Sequence, residues 1–215
     1  MKLHDSFGMN PRTVRFFLLE KGINVPTEKV DILSADNRKE AYLAVNPSGQ
    51  TPALTLDSGL TVSEVPAICE LLEDMHPQPS LIGTTSEERA ETRMWWRRVE
   101  IGICHPMVQG FYFAEGLDLF KTRFRCVPEA ADGLKARARD QMMWLDAQLD
   151  GKEWLCGHRF TAADIALFCY MDQLEDANQP APENAKNLLA WKARVGSRPA
   201  AEASIWEERP MGMRG

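Results

Sequence analysis
The stretch Asn46-Pro47-Ser48-Gly49-Gln50-Thr51-Pro52-Ala53-Leu54 carries the residues best suited to hold a ligand through main-chain bonds. Pro52 has no N–H and would cost a ladder bond inside a sheet, so it belongs at the entrance of a strand beginning at Ala53. A cis bond before Pro52 would turn the preceding backbone outward. The Thr51 N–H and C=O could then pair with an extended peptide as an added strand. An ordinary turn leading into a strand fits the same residues. Nearer the N-terminus, Ser6-Phe7-Gly8-Met9-Asn10-Pro11 brings a hydroxyl and a carboxamide to the loop entering a helix. Each has a plainer reading, Ser6 as a strand-end hydroxyl capping a turn and Asn10 as an N-cap. Arg38, within Asp36-Asn37-Arg38-Lys39-Glu40, offers either a charge-assisted bond to a carboxylate or a solvated surface charge.

Two kinds of pattern must position these residues. The first seventy-odd alternate in type: a short strand at about Lys2 to Asp5, then a helix at about Pro11 to Lys21 with Val14, Phe17 and Leu18 at helical spacing and Gly22 as its stop. Asn10-Pro11 announces that helix, with Asn as cap and Pro at the first helical position. Thr27 to Ile32 partly alternates, and Ala53 to Leu56, Asp57-Ser58-Gly59 and Leu60 to Val62 read as a hairpin. A helix from about Ser63 to Asp74 follows. Pro77, Pro79 and Gly83 then punctuate a connector, beyond which strand-like alternation disappears. Ser86 to about Phe113 reads as one long helix that Pro106 is placed to bend. Further helices fit Gly133 to Leu149, Ala162 to Gln173, Ala185 to Val195 and Pro199 to Trp206.

At 215 residues the chain is long enough for two domains, and 44% apolar with 26% charged residues suits a packed globular protein. A formal net charge of -6 argues against nucleic acid or an anionic membrane as partner, because both demand concentrated positive charge. No apolar stretch is long enough for a signal or a membrane span. Cys69, Cys104, Cys126, Cys156 and Cys169 are odd in number, widely spaced and never form Cys-x-x-Cys, which fits a reducing cytoplasm. His4, His76, His105 and His158 show no metal-ligand spacing, so no metal is expected.

Asn46-Pro-x-Gly-Gln50-Thr-Pro52-x-Leu54, followed by Glu64-Val-x-Ala-Ile68, resembles the glutathione-site motif pair of cytosolic glutathione transferases. Gly157-His-Arg-Phe160-Thr161-Ala-Ala-Asp164-Ile165-Ala166 is similar to that family's capping box and hydrophobic staple. The three motifs stand in order across nearly the whole chain. The resemblance implies an α/β thioredoxin-like domain (βαβ-ββα) over residues 1–76, a linker over 77–84 and an all-α domain over 85–215. It implies glutathione as co-substrate, no metal, a homodimer, and conjugation of the glutathione thiolate to small hydrophobic electrophiles. Thr51, before a cis Pro52, would bond the cysteinyl backbone, Glu64 and Val65 would receive the γ-glutamyl end, and Asn37, Arg38 and Gln50 would complete the tripeptide site. Met9, Phe111 and Tyr112 would border the electrophile, although aromatic residues at helical spacing are more often core.

Two departures from the pattern stand out. Val65 replaces the usual serine, removing a hydroxyl from the γ-glutamyl site but leaving a main-chain N–H. The loop entering the first helix holds no Tyr or Cys, so the thiolate donor is open among the Ser6 hydroxyl, the Asn10 amide, the N–H groups near Gly8 to Asn10, and Tyr112. These departures also fit a transferase-like binding or interaction protein without turnover. A thioredoxin-type disulfide reductase is disfavoured, since no cysteine precedes the first helix.

Overall fold
A computed structural model describes residues 1–207. The first half is built on a four-stranded sheet in the order β2-β1-β3-β4, with β1 at Lys2–Asp5, β2 at Thr27–Lys29, β3 at Ala53–Thr55 and β4 at Thr61–Ser63. Parallel pairing of β1 with β2 requires a crossover, which α1 (Met9–Lys21) supplies. The other two pairings are antiparallel, and their register sets Leu3 against Leu54 and Leu54 against Val62. Leu3 and Leu54 are fully buried, as are Phe16 and Phe17 of α1 and Ile68 and Leu72 of α3 (Val65–Met75). Between β2 and β3 lie a 3-10 turn at Asp36–Arg38 and the short α2 at Glu40–Leu43. Neither was expected from the sequence, whose polar run there has no helical stripe.

Several expected elements change in detail. Helix α1 begins at Met9 rather than Pro11, and Asn10 is not its cap: it lies in the first turn, and no side chain caps the helix. Gly8 takes the preceding position at φ 133°, a conformation that L side chains rarely adopt. The chain enters the helix there without a capping hydroxyl, while Gly22 closes it in the left-handed conformation. Strand β2 stops at Lys29, short of Ile32.

From Ser86 onward the chain is helical: α4 (Ser86–Val99), α5 (His105–Phe113), α6 (Leu117–Phe120), α7 (Ala131–Gln148), α8 (Ala162–Glu175), α9 (Lys186–Gly196) and α10 (Pro199–Ala203). The long helix read from the sequence is divided by a π-helical turn at Glu100–Cys104, just ahead of Pro106. Pro106 has no N–H for the carbonyl four residues back, and the widened turn accommodates that missing donor. Helix α6 was not expected. Residues 208–215, assigned to the second half from the sequence, lie outside the described residues.

The capping box starts α8 as its residues foretold. The Thr161 N–H and hydroxyl donate to Asp164 Oδ2 at 2.9 and 3.0 Å, and Asp164 Oδ1 accepts from Leu155 N–H and the Trp191 indole. Nearly every residue of α8 is buried, because it packs between α1 of the first half and the helices of the second. Across that seam, Arg12 is buried and donates to Asp172 Oδ2 at 2.7 Å, and its remaining nitrogens reach Ser204 Oγ and the Ala201 carbonyl. The connector is clamped as well: Lys21 Nζ pairs with Glu73 at 2.8 Å and donates to the His76 and Pro79 carbonyls. Among the described residues no helix is long and apolar enough to cross a membrane, and no cluster of three or more His, Cys, Asp or Glu could hold a metal ion.

Candidate active site
A cavity of about 170 Å³ opens between the start of α1, the Gln50-Thr51 turn, and helices α5, α6 and α8. Its floor is the main chain leading into α1. Met9 and Asn10 have no partner for their N–H groups among the described residues, and Pro11 has none to offer. The first turn of α1 contains no acidic residue to occupy those donors. An anion placed there would meet the positive end of the helix dipole and two unused N–H groups.

Thr51 stands on the opposite lip. The Thr51–Pro52 bond is cis, and the Thr51 N–H and C=O are unpaired among the described residues. Its hydroxyl is held by Ser6 Oγ at 2.6 Å, and Ser6 Oγ also donates to the Phe7 carbonyl. Those bonds give the Ser6 hydroxyl, expected as a thiolate donor, two partners within the chain. Ser6 is fully buried, lies off the cavity wall and has its hydroxyl engaged in fixing Thr51. The turn before Thr51 is braced by Tyr42 Oη and Asn46 Nδ2, which both donate to the Gln50 carbonyl at 2.7 and 2.8 Å.

Asn10, Gln50, Asn37 and Arg38 all reach the cavity wall, as do Met9, Phe111 and Tyr112. Asn37 is buried and donates one Nδ2 hydrogen to the Gly49 carbonyl at 2.6 Å, which braces the turn. Gly49 at φ 63° packs so closely there that a Cβ would lie 3.0 Å from the Asn37 carbonyl and 3.1 Å from an Arg38 nitrogen. Arg38 keeps its guanidinium free of any carboxylate among the described residues.

Pro52, Glu64 and Val65 are not part of the cavity wall. The β3–β4 register nonetheless sets Ser63 beside Ala53, so the start of α3 follows directly alongside the Thr51-Pro52 turn. Glu64 is held at φ 71°, a region that costs a non-glycine residue of order 1–3 kcal/mol. The Val65 N–H is unpaired among the described residues.

The second half contributes residues that sequence reasoning missed. Tyr170 of α8 donates its hydroxyl to Asn10 Oδ1 at 2.8 Å, which turns the Asn10 NH₂ away from that contact and leaves both its hydrogens as donors. Burial raises the Tyr170 hydroxyl well above its usual range, so it stays protonated and able to donate. Gln173, one turn further along α8, also lines the cavity. Phe120 closes α6, and Arg123 and Phe124 lie in the turn just after it, their N–H groups both donating to the Phe120 carbonyl. Tyr112 packs on Phe120 with ring centroids 4.1 Å apart and on Phe124 at 5.4 Å. Burial pushes its hydroxyl up to about 12, partly offset by the Arg123 charge.

Residues 9–75 match the model of the glutathione S-transferase N-terminal domain, and residues 127–199 match that of the C-terminal domain. A glutathione S-transferase domain-containing protein from Marinobacter aquaeolei VT8 is 34% identical, with a TM-score of 0.88 over 94% of this chain and all of that one. Gtt2 from Saccharomyces cerevisiae is 26% identical and superposes with a TM-score of 0.89 over 95% of this chain and 100% of its own. The glutathione S-transferase GstA of Escherichia coli O157:H7 is 28% identical, covering 97% of this chain and 98% of GstA. With both halves matched in order and one relative a third identical along its whole length, the chain belongs to the cytosolic glutathione S-transferase superfamily.

Proposed function
We propose that the protein binds glutathione in this cavity and joins the glutathione sulfur, as a thioether, to a small hydrophobic electrophile. One observation carries the reading: the unpaired main chain of Thr51, the unused N–H groups of Met9 and Asn10, and the Asn10 amide converge on one cavity whose far wall is aromatic. In this reading Thr51 pairs with the cysteinyl backbone as an added strand, with Pro52 fixing its direction. The γ-glutamyl carboxylate meets the N–H groups at Glu64 and Val65 at the start of α3. The glycyl carboxylate meets Arg38, on a turn that Asn37 ties to Gly49, with Gln50 beside it on the cavity wall.

The thiol then lies over the start of α1. An alkyl thiol titrates near 8.5, and lowering it by about two units needs roughly 2.7 kcal/mol of preference for the thiolate. A helix N-terminus contributes about 0.3–1 kcal/mol, too little alone, whereas a hydrogen bond to a charged group adds about 1.5–3 kcal/mol. Asn10 Nδ2, held by the Tyr170 hydroxyl, is our choice for that donor. The proton leaves to solvent and the sulfur lone pair forms a C–S bond. A leaving group such as chloride departs with the electrons of the broken bond, so no redox partner is required. Proximity and an oriented thiolate supply the rate. Met9, Phe111 and Tyr112 border the electrophile. A cytoplasmic homodimer is the assembly we expect, tested by light scattering.

Retention on immobilised glutathione together with conjugation of chlorodinitrobenzene tests the reading. Binding without turnover above the uncatalysed rate would favour a non-catalytic glutathione-binding protein, the alternative that Val65 and the absence of a catalytic Tyr or Cys suggest. Failure to bind would end both.

A further inference from the structure
The chain carries a net charge of -6, yet this cavity is lined by two arginines, Arg38 and Arg123, and by no carboxylate among the described residues. Neither arginine has a carboxylate within ion-pair distance among the described residues. Arg123 donates one N–H to the Ile32 carbonyl at 2.8 Å, and its guanidinium lies over the Phe120 ring at 5.5 Å. Burial and the neighbouring Arg38 charge both disfavour its protonated form, the condition that an incoming anion would relieve. Arg123 also sits on the aromatic side of the cavity. Phe120 and Phe124 flank it in sequence, and Tyr112 joins them in one stacked wall with centroids 4.1 to 5.6 Å apart.

Resting on the transferase reading, we infer that the second substrate is an aromatic electrophile bearing its own carboxylate, which Arg123 receives while the ring lies against the Tyr112–Phe120–Phe124 wall. Glutathione supplies one carboxylate to this end of the site, and Arg38, on the 3-10 turn that Asn37 ties to the turn before Thr51, is the cation placed for it. Arg123 comes from the opposite half and is left for a second anion. A planar guanidinium takes a carboxylate through two parallel bonds, and among the described residues only one of the five Arg123 N–H groups is engaged. A neutral ring would fill the apolar wall but leave Arg123 uncompensated. The carboxylate therefore acts as a selectivity element, because the site discriminates against ligands that leave its charge unpaired.

Calorimetry on the full chain tests this without relying on turnover. Dinitrobenzoate and its methyl ester, neither carrying a leaving group, are titrated with and without saturating S-methylglutathione. We expect the acid to bind about tenfold or more tightly than the ester. Arg123→Gln should abolish that preference while leaving the ester and S-methylglutathione unchanged. In the unaltered protein, added salt should weaken the acid and not the ester, a readout independent of any variant. Equal affinity for acid and ester, or an equal loss of both in Arg123→Gln, overturns the inference. A loss confined to S-methylglutathione also overturns it, by assigning Arg123 to the glycyl carboxylate. If S-methylglutathione never binds, the transferase reading fails, and the acid–ester comparison still decides whether the cavity selects a carboxylate.

Discussion

Replacing Asn10 by alanine isolates the proposed thiolate donor. The side chain is exposed to the cavity, makes no cap bond and lies in the first turn of α1, where alanine is well tolerated. Its loss removes one charge-assisted donor worth about 1.5–3 kcal/mol, equivalent at 1.36 kcal/mol per unit to a rise of about 1–2 units in the bound thiol pKa. The Met9 and Asn10 main-chain N–H groups remain, so the value should stay below that of free glutathione. Alanine also strands the buried Tyr170 hydroxyl, a separate cost to stability of about 1–3 kcal/mol. The double variant Asn10→Ala/Tyr170→Phe removes both partners. It should recover much of that stability without recovering the low thiol pKa. Ultraviolet titration of thiolate absorbance in the glutathione complex reads the pKa, and urea unfolding reads the stability. A bound thiol that titrates identically in wild type and Asn10→Ala would refute the assignment. A Tyr170→Phe variant that alone matched Asn10→Ala in thiol pKa would instead show that orientation of the amide is the larger part of the effect.

Glu73→Ala should destabilise the fold by about 3–5 kcal/mol, because Lys21 would stay buried without its countercharge and the Leu81 and Ile82 N–H groups would lose their acceptor. A loss under about 1 kcal/mol in urea unfolding would contradict this clamp. Burial holds the Asp5 carboxyl at about 6 despite Arg15 at 2.8 Å, above its usual 3.8. The folded state therefore binds a proton more readily than the unfolded chain, and the contribution of Asp5 to stability declines as pH rises from about 4 to about 6 and is level above. The stability of wild type relative to Asp5→Asn should fall by roughly 2–3 kcal/mol across that window. A pH-independent difference would refute it. Asp164→Ala should cost more than a typical exposed cap, about 2 kcal/mol or more, because one buried carboxylate serves Thr161, Leu155 and Trp191 together. Thermal unfolding with a loss no greater than that of an exposed cap would count against it.

The sequence is most legible where a local rule acts alone. Gly22 ends α1, the Ala53–Ser63 hairpin forms, and Thr161-x-x-Asp164 starts α8, because a turn or a cap is decided by neighbours in the chain. It misleads where a distant partner decides. Asn10 has the composition of a cap, yet Tyr170, 160 residues away, holds its side chain. Ser6 has a reactive group at the right place in the chain, but the hydroxyl of Thr51 engages it from the turn ahead of β3. The polar run before Glu40 gives no periodic signal, because its turns are fixed by Asn37 bonding Gly49 rather than by an apolar stripe.

The same division explains why neither half could carry the site alone. The sheet half offers main-chain donors and a cation at Arg38, all suited to a peptide and indifferent to what the peptide's sulfur attacks. In the proposed reaction, selectivity for the second ligand falls to the helical half, whose wall is aromatic and carries its own arginine. Helix α8 makes the two parts one device. Tyr170 fixes the Asn10 amide, and two residues later Asp172 binds Arg12, so two bonds of matching i,i+2 spacing tie α8 to the first turn of α1. A movement of α8 that opened the cavity would therefore also disturb the Asn10 amide, the donor we propose for the sulfur. Changes to the aromatic wall on α5 and α6 lie outside that linkage, and substrate range should vary there with the least effect on thiolate stabilisation.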